Sequence, residues 1–139
     1  MSFLENKKVA ILYGGVSDER EVSLASGKNA YEALSAAGVE VELIDTRDGR
    51  EALRRLVDGN YGAAFIALHG KGGEDGTIQG ALEMLQIPYT GSGVAASATA
   101  MDKSRSKAMY ALAGLAVARS VTLASPTAMS VEEIAQAVG

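Results

Sequence analysis

Three short apolar runs, separated by longer amphipathic stretches, organise the first two thirds of the chain. Residues 9–13 and 63–68 are continuously apolar, which is typical of strands buried on both faces. Residues 39–45 alternate apolar and charged side chains, which predicts a strand exposed on one face. Helical patterns at residues 21–37 and 51–57 lie between these runs. The alternation of strand and helix predicts an open α/β fold with a parallel sheet and right-handed crossovers.

The helix at residues 21–37 has recognisable signals at both ends. At its start, Asp18 and Glu21 have the spacing of a capping box, and Ser17 is an alternative N-cap residue. At its end, Gly38 is well suited to the left-handed position that often follows a helix. We therefore expect this helix to begin next to the glycines that follow the first strand.

Two glycine-rich loops are predicted to meet at one edge of the sheet. One follows Tyr13 and the other follows Leu68, so both leave the carboxyl ends of strands. Ligands of open parallel sheets bind at that edge. A further helix at residues 77–85 and a short strand near Pro88 and Tyr89 extend the same pattern. The sequence therefore predicts a single ligand site built from both loops.

The pattern changes near Ala100. A helix is predicted at residues 102–113 and a strand at 117–123. Ser130 followed by Glu133 forms a capping box for a last helix at residues 131–138. Because this strand and helix have no evident sheet partners, we expect two parts, a domain at 1–100 and an incomplete beginning of another at 101–139.

Composition excludes several classes of function. The 139-residue chain is 47% hydrophobic and 22% charged, with a net charge of −4 and no basic cluster, which argues against nucleic-acid binding. No apolar run approaches the roughly 20 residues of a membrane span. The absence of cysteine excludes disulfides and thiolate metal sites and agrees with a cytoplasmic protein. With a single histidine, we predict no metal ligands in this chain.

The candidate site residues have two interpretations when they are taken one at a time. Gly14 and Gly15 are either turn glycines or a ligand-binding loop, although both G-x-G-x-x-G and the P-loop pattern are missing. Glu19 is either part of an ordinary acidic first turn or a charge that binds a ligand. His69 is structural or functional, and Lys103 is by default an exposed helix residue. Taken singly, these residues do not decide between the structural and the functional interpretation.

Two long motifs resemble one family. Residues 68–107, LHGKGGEDGTIQGALEMLQIPYTGSGVAASATAMDKSRSK, and residues 12–24, LYGGVSDEREVSL, resemble the corresponding blocks of bacterial D-alanine–D-alanine ligase, an ATP-grasp enzyme. The resemblance implies a Rossmann-like (pre-ATP-grasp) sheet with helices on both faces at residues 1–100. It also implies that residues 101–139 begin the central ATP-binding domain.

The resemblance also assigns roles to individual residues. Glu19 matches the acid that pairs with the ammonium of the first D-alanine, and Lys103 matches a lysine that contacts the nucleotide. Lys107 lies in the same motif without a clear role. Independently of the resemblance, Glu74 and Asp75 are expected to stabilise their own loop, because there is no second histidine for a metal site. Glu19 is thus the predicted catalytic residue, and the predicted substrate-binding residues are Gly14, Gly15, Ser23 and His69.

The implied activity joins two D-alanines with ATP through an acylphosphate, for peptidoglycan and cell-wall synthesis in the cytoplasm. ATP, Mg²⁺, D-alanine and a second copy of the chain in a homodimer are the implied partners. The family's magnesium ligands lie beyond the part matched here, so we expect this chain alone to be inactive. The alternatives are a stand-alone Rossmann-like module for small-ligand binding or dimerisation, and a nicotinamide-binding domain with Asp45 at the ribose. The missing G-x-G-x-x-G argues against the last of these.

Overall fold

The computed structural model describes residues 8–139. Packing divides the chain into two compact units, one ending at Met101 and the other running from Asp102 to Gly139. The first unit contains the sheet and the two glycine-rich loops.

The first unit is built on a three-stranded parallel sheet in the order β2-β1-β3. In the central strand, four consecutive residues from Val9 to Leu12 are buried, so both of its faces are covered. This confirms the predicted open parallel α/β sheet. The strands are β1 (Lys8–Tyr13), β2 (Val41–Asp45) and β3 (Tyr61–Ile66).

Four helices complete the first unit, and α1 packs against β1 and β2. Asp48 caps α2 by accepting hydrogen bonds from the backbone N–H groups of Arg50 and Glu51. The largest side chains with almost no exposure, which mark the core, include Leu12, Ile44, Leu56 and Leu82. The helices are α1 (Arg20–Ala36), α2 (Gly49–Asp58), α3 (Thr77–Met84) and α4 (Val94–Met101).

The start of α1 differs from both predicted caps. The residue before the helix is Glu19, and no side chain caps it. The Ser17 hydroxyl instead accepts a weak hydrogen bond from the Glu19 N–H and donates to the His69 carbonyl. The predicted capping box at Asp18 is therefore wrong, because the first turn is fixed by contacts to another loop rather than by its own side chains.

One helix was not predicted, and one predicted strand is reduced to a bridge. Helix α4 consists mostly of small alanine, serine and threonine residues, so it carries no amphipathic signal. The strand expected near Pro88 and Tyr89 consists of a parallel bridge between Tyr89 and Ala64. The Ala64 N–H donates to the Pro88 carbonyl over 2.7 Å, so this segment still extends the sheet beyond β3.

The second unit contains α5 (Lys103–Leu112) and α6 (Val131–Val138). Asp102 caps α5, and the predicted capping box of Ser130 and Glu133 is present at α6. The strand predicted at residues 117–123 is wrong, since this segment has no regular secondary structure. A strand requires a paired neighbour, and residues 102–139 contain none.

Amide hydrogen exchange should distinguish the two units. No residue of the second unit is buried, whereas β1 lies in the core of the first. Amides of α5 should therefore exchange at least about a hundredfold faster than those of Ile11 and Leu12, because they open locally. Exchange measured by mass spectrometry or NMR tests this expectation. Equal protection of the two units would contradict it.

Acid should weaken the first unit partly through Glu42 on β2. Hydrogen bonds from Lys8 and then Arg55 lower the pKa of Glu42 from its ordinary 4.5 to about 2. Its contribution to folding is therefore complete above pH 4.5 and is lost as the pH falls towards 2. Glu42→Gln should cost about 1 kcal/mol at neutral pH and flatten this acid-dependent loss.

Urea unfolding across the acid range measures this effect. Glu40→Gln is the matched control, because Glu40 is exposed one residue before β2 and makes no side-chain hydrogen bond within residues 8–139. Asp45 has a similarly lowered pKa of about 2, so some acid dependence should remain in Glu42→Gln. If the free energy of unfolding of Glu42→Gln falls with acid as steeply as that of the unsubstituted chain, the ion pairs of Glu42 contribute nothing to stability.

Candidate functional site

The carboxyl ends of β1 and β3 are tied together by Ser23 of α1. This side chain has no exposed surface. Its hydroxyl donates to the Ala67 carbonyl over 2.7 Å and accepts from the Gly14 N–H over 2.8 Å. The structure thus brings together the β1 loop (residues 14–19) and the β3 loop (residues 67–76). Ser23 is beneath this junction, where it positions Gly14.

Ser17 links the β1 loop to His69. Its hydroxyl donates to the His69 backbone carbonyl over 2.8 Å. The half-buried His69 ring lies above α1, with Nε2 at 3.4 Å from the Ser26 hydroxyl. Ser17 therefore fixes the backbone of His69, and Ser26 of α1 lies close to its ring.

Glu19 lies directly beside the β3 loop. A β carbon built on Gly70 would be only 2.8 Å from Glu19 Oε2 and 3.3 Å from Ser17 Cβ. Gly70 has a φ of 65°, a conformation that glycine adopts without strain. Within residues 8–139 the Glu19 carboxylate accepts no hydrogen bond and forms no ion pair. The unpaired Glu19 carboxylate thus lies beside Gly70, the residue that follows His69.

The β1 loop is also held by an ion pair that the sequence reasoning missed. Arg20 donates to Asp45 through two bonds, from Nη1 to Oδ1 at 2.9 Å and from Nη2 to Oδ2 at 2.6 Å. Gly15 joins them, since its carbonyl accepts from Arg20 over 2.9 Å and its N–H points to Asp45 Oδ1 over 3.3 Å. The Arg20 guanidinium lowers the pKa of Asp45 to about 2, so this carboxylate stays ionised at neutral pH.

This arrangement leaves the Asp45 carboxylate fully engaged. It accepts hydrogen bonds from Arg20, Gly15 and the Arg47 backbone. A nicotinamide-binding fold would need this acid free to bind a ribose. The geometry therefore argues, with the missing glycine motif, against that alternative.

The β3 loop is stabilised by its own acids, as predicted. Glu74 accepts from the Gly70 N–H over 2.7 Å, and Asp75 accepts from the N–H groups of Gly72 and Thr77. Gln79 of α3 donates to the Gly73 carbonyl over 2.7 Å. These bonds hold the loop without using Glu19 or His69.

Two clefts open on either side of His69. The smaller has a volume of about 150 Å³ and includes Gly15, Val16, Thr46 and Lys71 in its lining. The larger has a volume of about 360 Å³ and includes Glu74, Gln79, Thr90 and Ser97. Leu68, His69 and Gly73 border both clefts. His69 is thus accessible to a small ligand from two directions.

The two lysines of the second unit differ in their surroundings. Lys103 is exposed at the first position of α5 and makes no side-chain hydrogen bond within the described part of the chain. Lys107 donates to the Ala118 carbonyl over 2.9 Å, which gives it a structural contact inside this unit. Of these two lysines, Lys103 is therefore the one whose ammonium group has no hydrogen-bond partner in the described part of the chain.

No metal centre or membrane span is evident between residues 8 and 139. Within that range there is no group of three or more histidine, cysteine or acidic side chains that could hold a metal ion. None of the helices in the same range is long and apolar enough to cross a membrane.

Known proteins match this chain along most of its length. The family model described as D-ala D-ala ligase N-terminus matches residues 46–92. A D-alanine–D-alanine ligase from Aromatoleum aromaticum is 55% identical over 120 residues, which cover 86% of this chain and 38% of that relative. One from Pseudomonas entomophila is 55% identical over 118 residues, or 85% of this chain and 36% of the relative. The chain thus spans little more than a third of these relatives.

Solved structures give the same result for the fold. The D-alanine–D-alanine ligase from Bacillus anthracis, in complex with ATP, has a TM-score of 0.81 and 32% identity, and the match covers 94% of this chain and 45% of that one. Another structure of the ligase from this organism has a TM-score of 0.73 and 31% identity, over 94% and 43% of the two chains. The resemblance seen in the two motifs is therefore confirmed: in sequence and in fold, this chain is similar to the N-terminal part of the D-alanine–D-alanine ligases.

Proposed function

We propose that this chain forms the substrate-binding N-terminal part of an ATP-dependent D-alanine–D-alanine ligase of cytoplasmic peptidoglycan synthesis. The observation that carries the proposal is the uncommitted Glu19 carboxylate, which lies against Gly70 beside His69. A ligand with an ammonium and a carboxylate group, such as D-alanine, suits a free carboxylate and a histidine on adjoining loops.

In this proposal Glu19 binds the ammonium of the first D-alanine. A carboxylate both balances that charge and fixes the orientation of the amine. His69 lies near the carboxylate of the same substrate, Gly15 lines the smaller cleft beside His69, and Gly14 supports the loop through its bond to Ser23. Ser23 acts from below, since its buried hydroxyl holds the Gly14 N–H and the Ala67 carbonyl.

The nucleotide is assigned to the second unit through Lys103. A free ammonium at this position would contact ATP and stabilise phosphoryl charge. We further propose that residues 1–100 form the substrate domain, that residues 101–139 begin the ATP-binding domain, and that the whole protein is a homodimer. The side chains of residues 8–139 offer no set of ligands for Mg²⁺, so in this proposal the metal belongs to the rest of the ligase.

A hybrid ligase provides the test. In it, this chain replaces the aligned stretch of the Aromatoleum aromaticum ligase, and ADP release is followed with D-alanine and ATP. We expect D-alanine-dependent turnover by the hybrid and none by the 139-residue chain alone. A hybrid that melts cooperatively but releases no ADP would refute the proposed function. Turnover by the chain alone would refute the assignment of the remaining chemistry to other domains.

A further inference from the structure

We infer that Arg20 and Asp45 are positioning residues for the first substrate, acting through the β1 loop on Glu19. The inference rests on the proposed function, because it concerns how that site is held. Neither residue is expected to touch D-alanine. Their role is to fix the loop backbone and to keep the Arg20 charge away from Glu19.

The Arg20–Asp45 ion pair connects the β1 loop to the ends of β1 and β2 and to the start of α1. Asp45 is the last residue of β2 and lies opposite Tyr13, the last residue of β1. Arg20 is the first residue of α1. Between them, both polar backbone groups of Gly15 are engaged, the carbonyl by Arg20 and the N–H by Asp45. The two strands and the helix are thus locked together next to Glu19.

The backbone of Gly14 is packed directly against this pair. Its φ is 75°, and a β carbon there would lie 2.4 Å from Asp45 Oδ1 and 2.6 Å from Arg20 Nη1. These distances leave no room for a side chain between the loop and the ion pair. The path of the loop therefore depends on where the pair lies.

The pair also controls charge beside Glu19. The Arg20 guanidinium gives hydrogen bonds to both Asp45 oxygens and to the Gly15 carbonyl, so its positive charge is balanced. A guanidinium released from Asp45 would be adjacent in sequence to Glu19 and would compete with the substrate ammonium for its carboxylate. Loss of Asp45 should therefore weaken substrate binding even when the fold is kept.

A second ion pair on the same strand provides a matched comparison. Arg55 and Glu42 also approach to 2.6 Å, and Glu42 is near the start of β2 whereas Asp45 is at its end. Arg55 donates in addition to the Leu43 carbonyl, and Leu43 lies opposite Ile11, two residues before the end of β1. If ion pairs on β2 affect only stability, the two pairs should behave alike.

The hybrid ligase with Arg20→Lys, Asp45→Asn or the control Arg55→Lys tests the inference. The first two variants should raise the KM for D-alanine by about tenfold or more, since small misplacements of a binding group are costly. The KM for ATP should stay unchanged in all three variants. Arg55→Lys should lower the melting temperature by a similar amount while keeping the KM for D-alanine.

The double variant Arg20→Gln with Asp45→Asn separates the two effects of the pair. Without a free guanidinium, it should bind D-alanine more tightly than Asp45→Asn alone. A weaker binding than in Asp45→Asn would refute the charge-control part.

Other outcomes separate this inference from the proposed function. If the unsubstituted hybrid ligase is folded but inactive, the proposed function is refuted. If it is active and the folded Arg20→Lys variant keeps its KM for D-alanine, the positioning role fails. Arg20→Lys retains the charge and most of the side-chain volume, so it tests the inference even if Asp45→Asn does not fold.

Discussion

Glu19→Gln is expected to lower the kcat/KM of the hybrid ligase for D-alanine by about thirtyfold or more. The amide keeps the shape of the side chain but removes the charge that pairs with the substrate ammonium, and loss of one partner of such a pair typically costs about 2–5 kcal/mol. Folding should be nearly unaffected, because Glu19 is exposed and has no side-chain partner within residues 8–139. Steady-state ADP release and a thermal melt measure the two effects.

Glu21→Gln is the matched control for this prediction. Glu21 is also exposed, lies in the same first turn of α1 and carries the same charge. Its removal changes the net charge and the helix N-terminus equally, but no neighbouring loop glycine lies against its carboxylate. Near-normal turnover in Glu19→Gln, or an equal loss in Glu21→Gln, would remove Glu19 from substrate binding.

The sheet and the meeting of the two loops were predictable because they depend on local patterns. The continuous apolar residues of β1 mark a buried strand, and glycines directly after Tyr13 and Leu68 mark loops at the carboxyl edge. Parallel topology then requires these loops to lie at the same edge. The predicted capping box of α6 was confirmed for the same reason, since all of its contacts lie within four residues.

The groups that hold the site together were not predictable in this way. Ser23 contacts Ala67 across 44 positions, and Arg20 contacts Asp45 across 25. Neither contact has a signature in residue spacing, and the position of Asp45 at the end of a predicted strand suggests only a ribose-binding acid. The sequence offers only one signal for the ion pair: a basic residue, Arg20, begins α1 and an acidic residue, Asp45, ends β2.

The strand at residues 117–123 and helix α4 depart from the sequence predictions for different physical reasons. Residues 117–123 have the composition of a strand but lack a neighbour to pair with in their unit. Helix α4 consists mostly of small residues, so its hydrophobic positions show no helical period. Its backbone hydrogen bonds nevertheless form within the helix. Tertiary context therefore overrides the local pattern at residues 117–123, whereas α4 forms from local bonds that leave no mark in the hydrophobic pattern.

Gly70→Ala should separate the position of Glu19 from the stability of the β3 loop. Both Gly70 and Gly72 have positive φ values, of 65° and 87°. Alanine at either site should therefore cost about 1–2 kcal/mol of stability, because the left-handed conformation is strained. Only at Gly70 would the new methyl group clash with Glu19, since its carbon would lie 2.8 Å from Glu19 Oε2, whereas a β carbon at Gly72, which also lines the smaller cleft, has no atom within 4 Å.

The kinetic consequences should therefore differ between these two variants. In Gly70→Ala the Glu19 carboxylate must move away from the loop, and a shift of about 1 Å in a binding group can cost on the order of a hundredfold in kcat/KM. Gly72→Ala should keep the kcat/KM for D-alanine while showing a similar fall in melting temperature. If both variants retain full activity, the contact between Gly70 and Glu19 has no bearing on the substrate. If both lose activity equally, the loop responds to backbone strain, and the position of Glu19 is not what limits turnover.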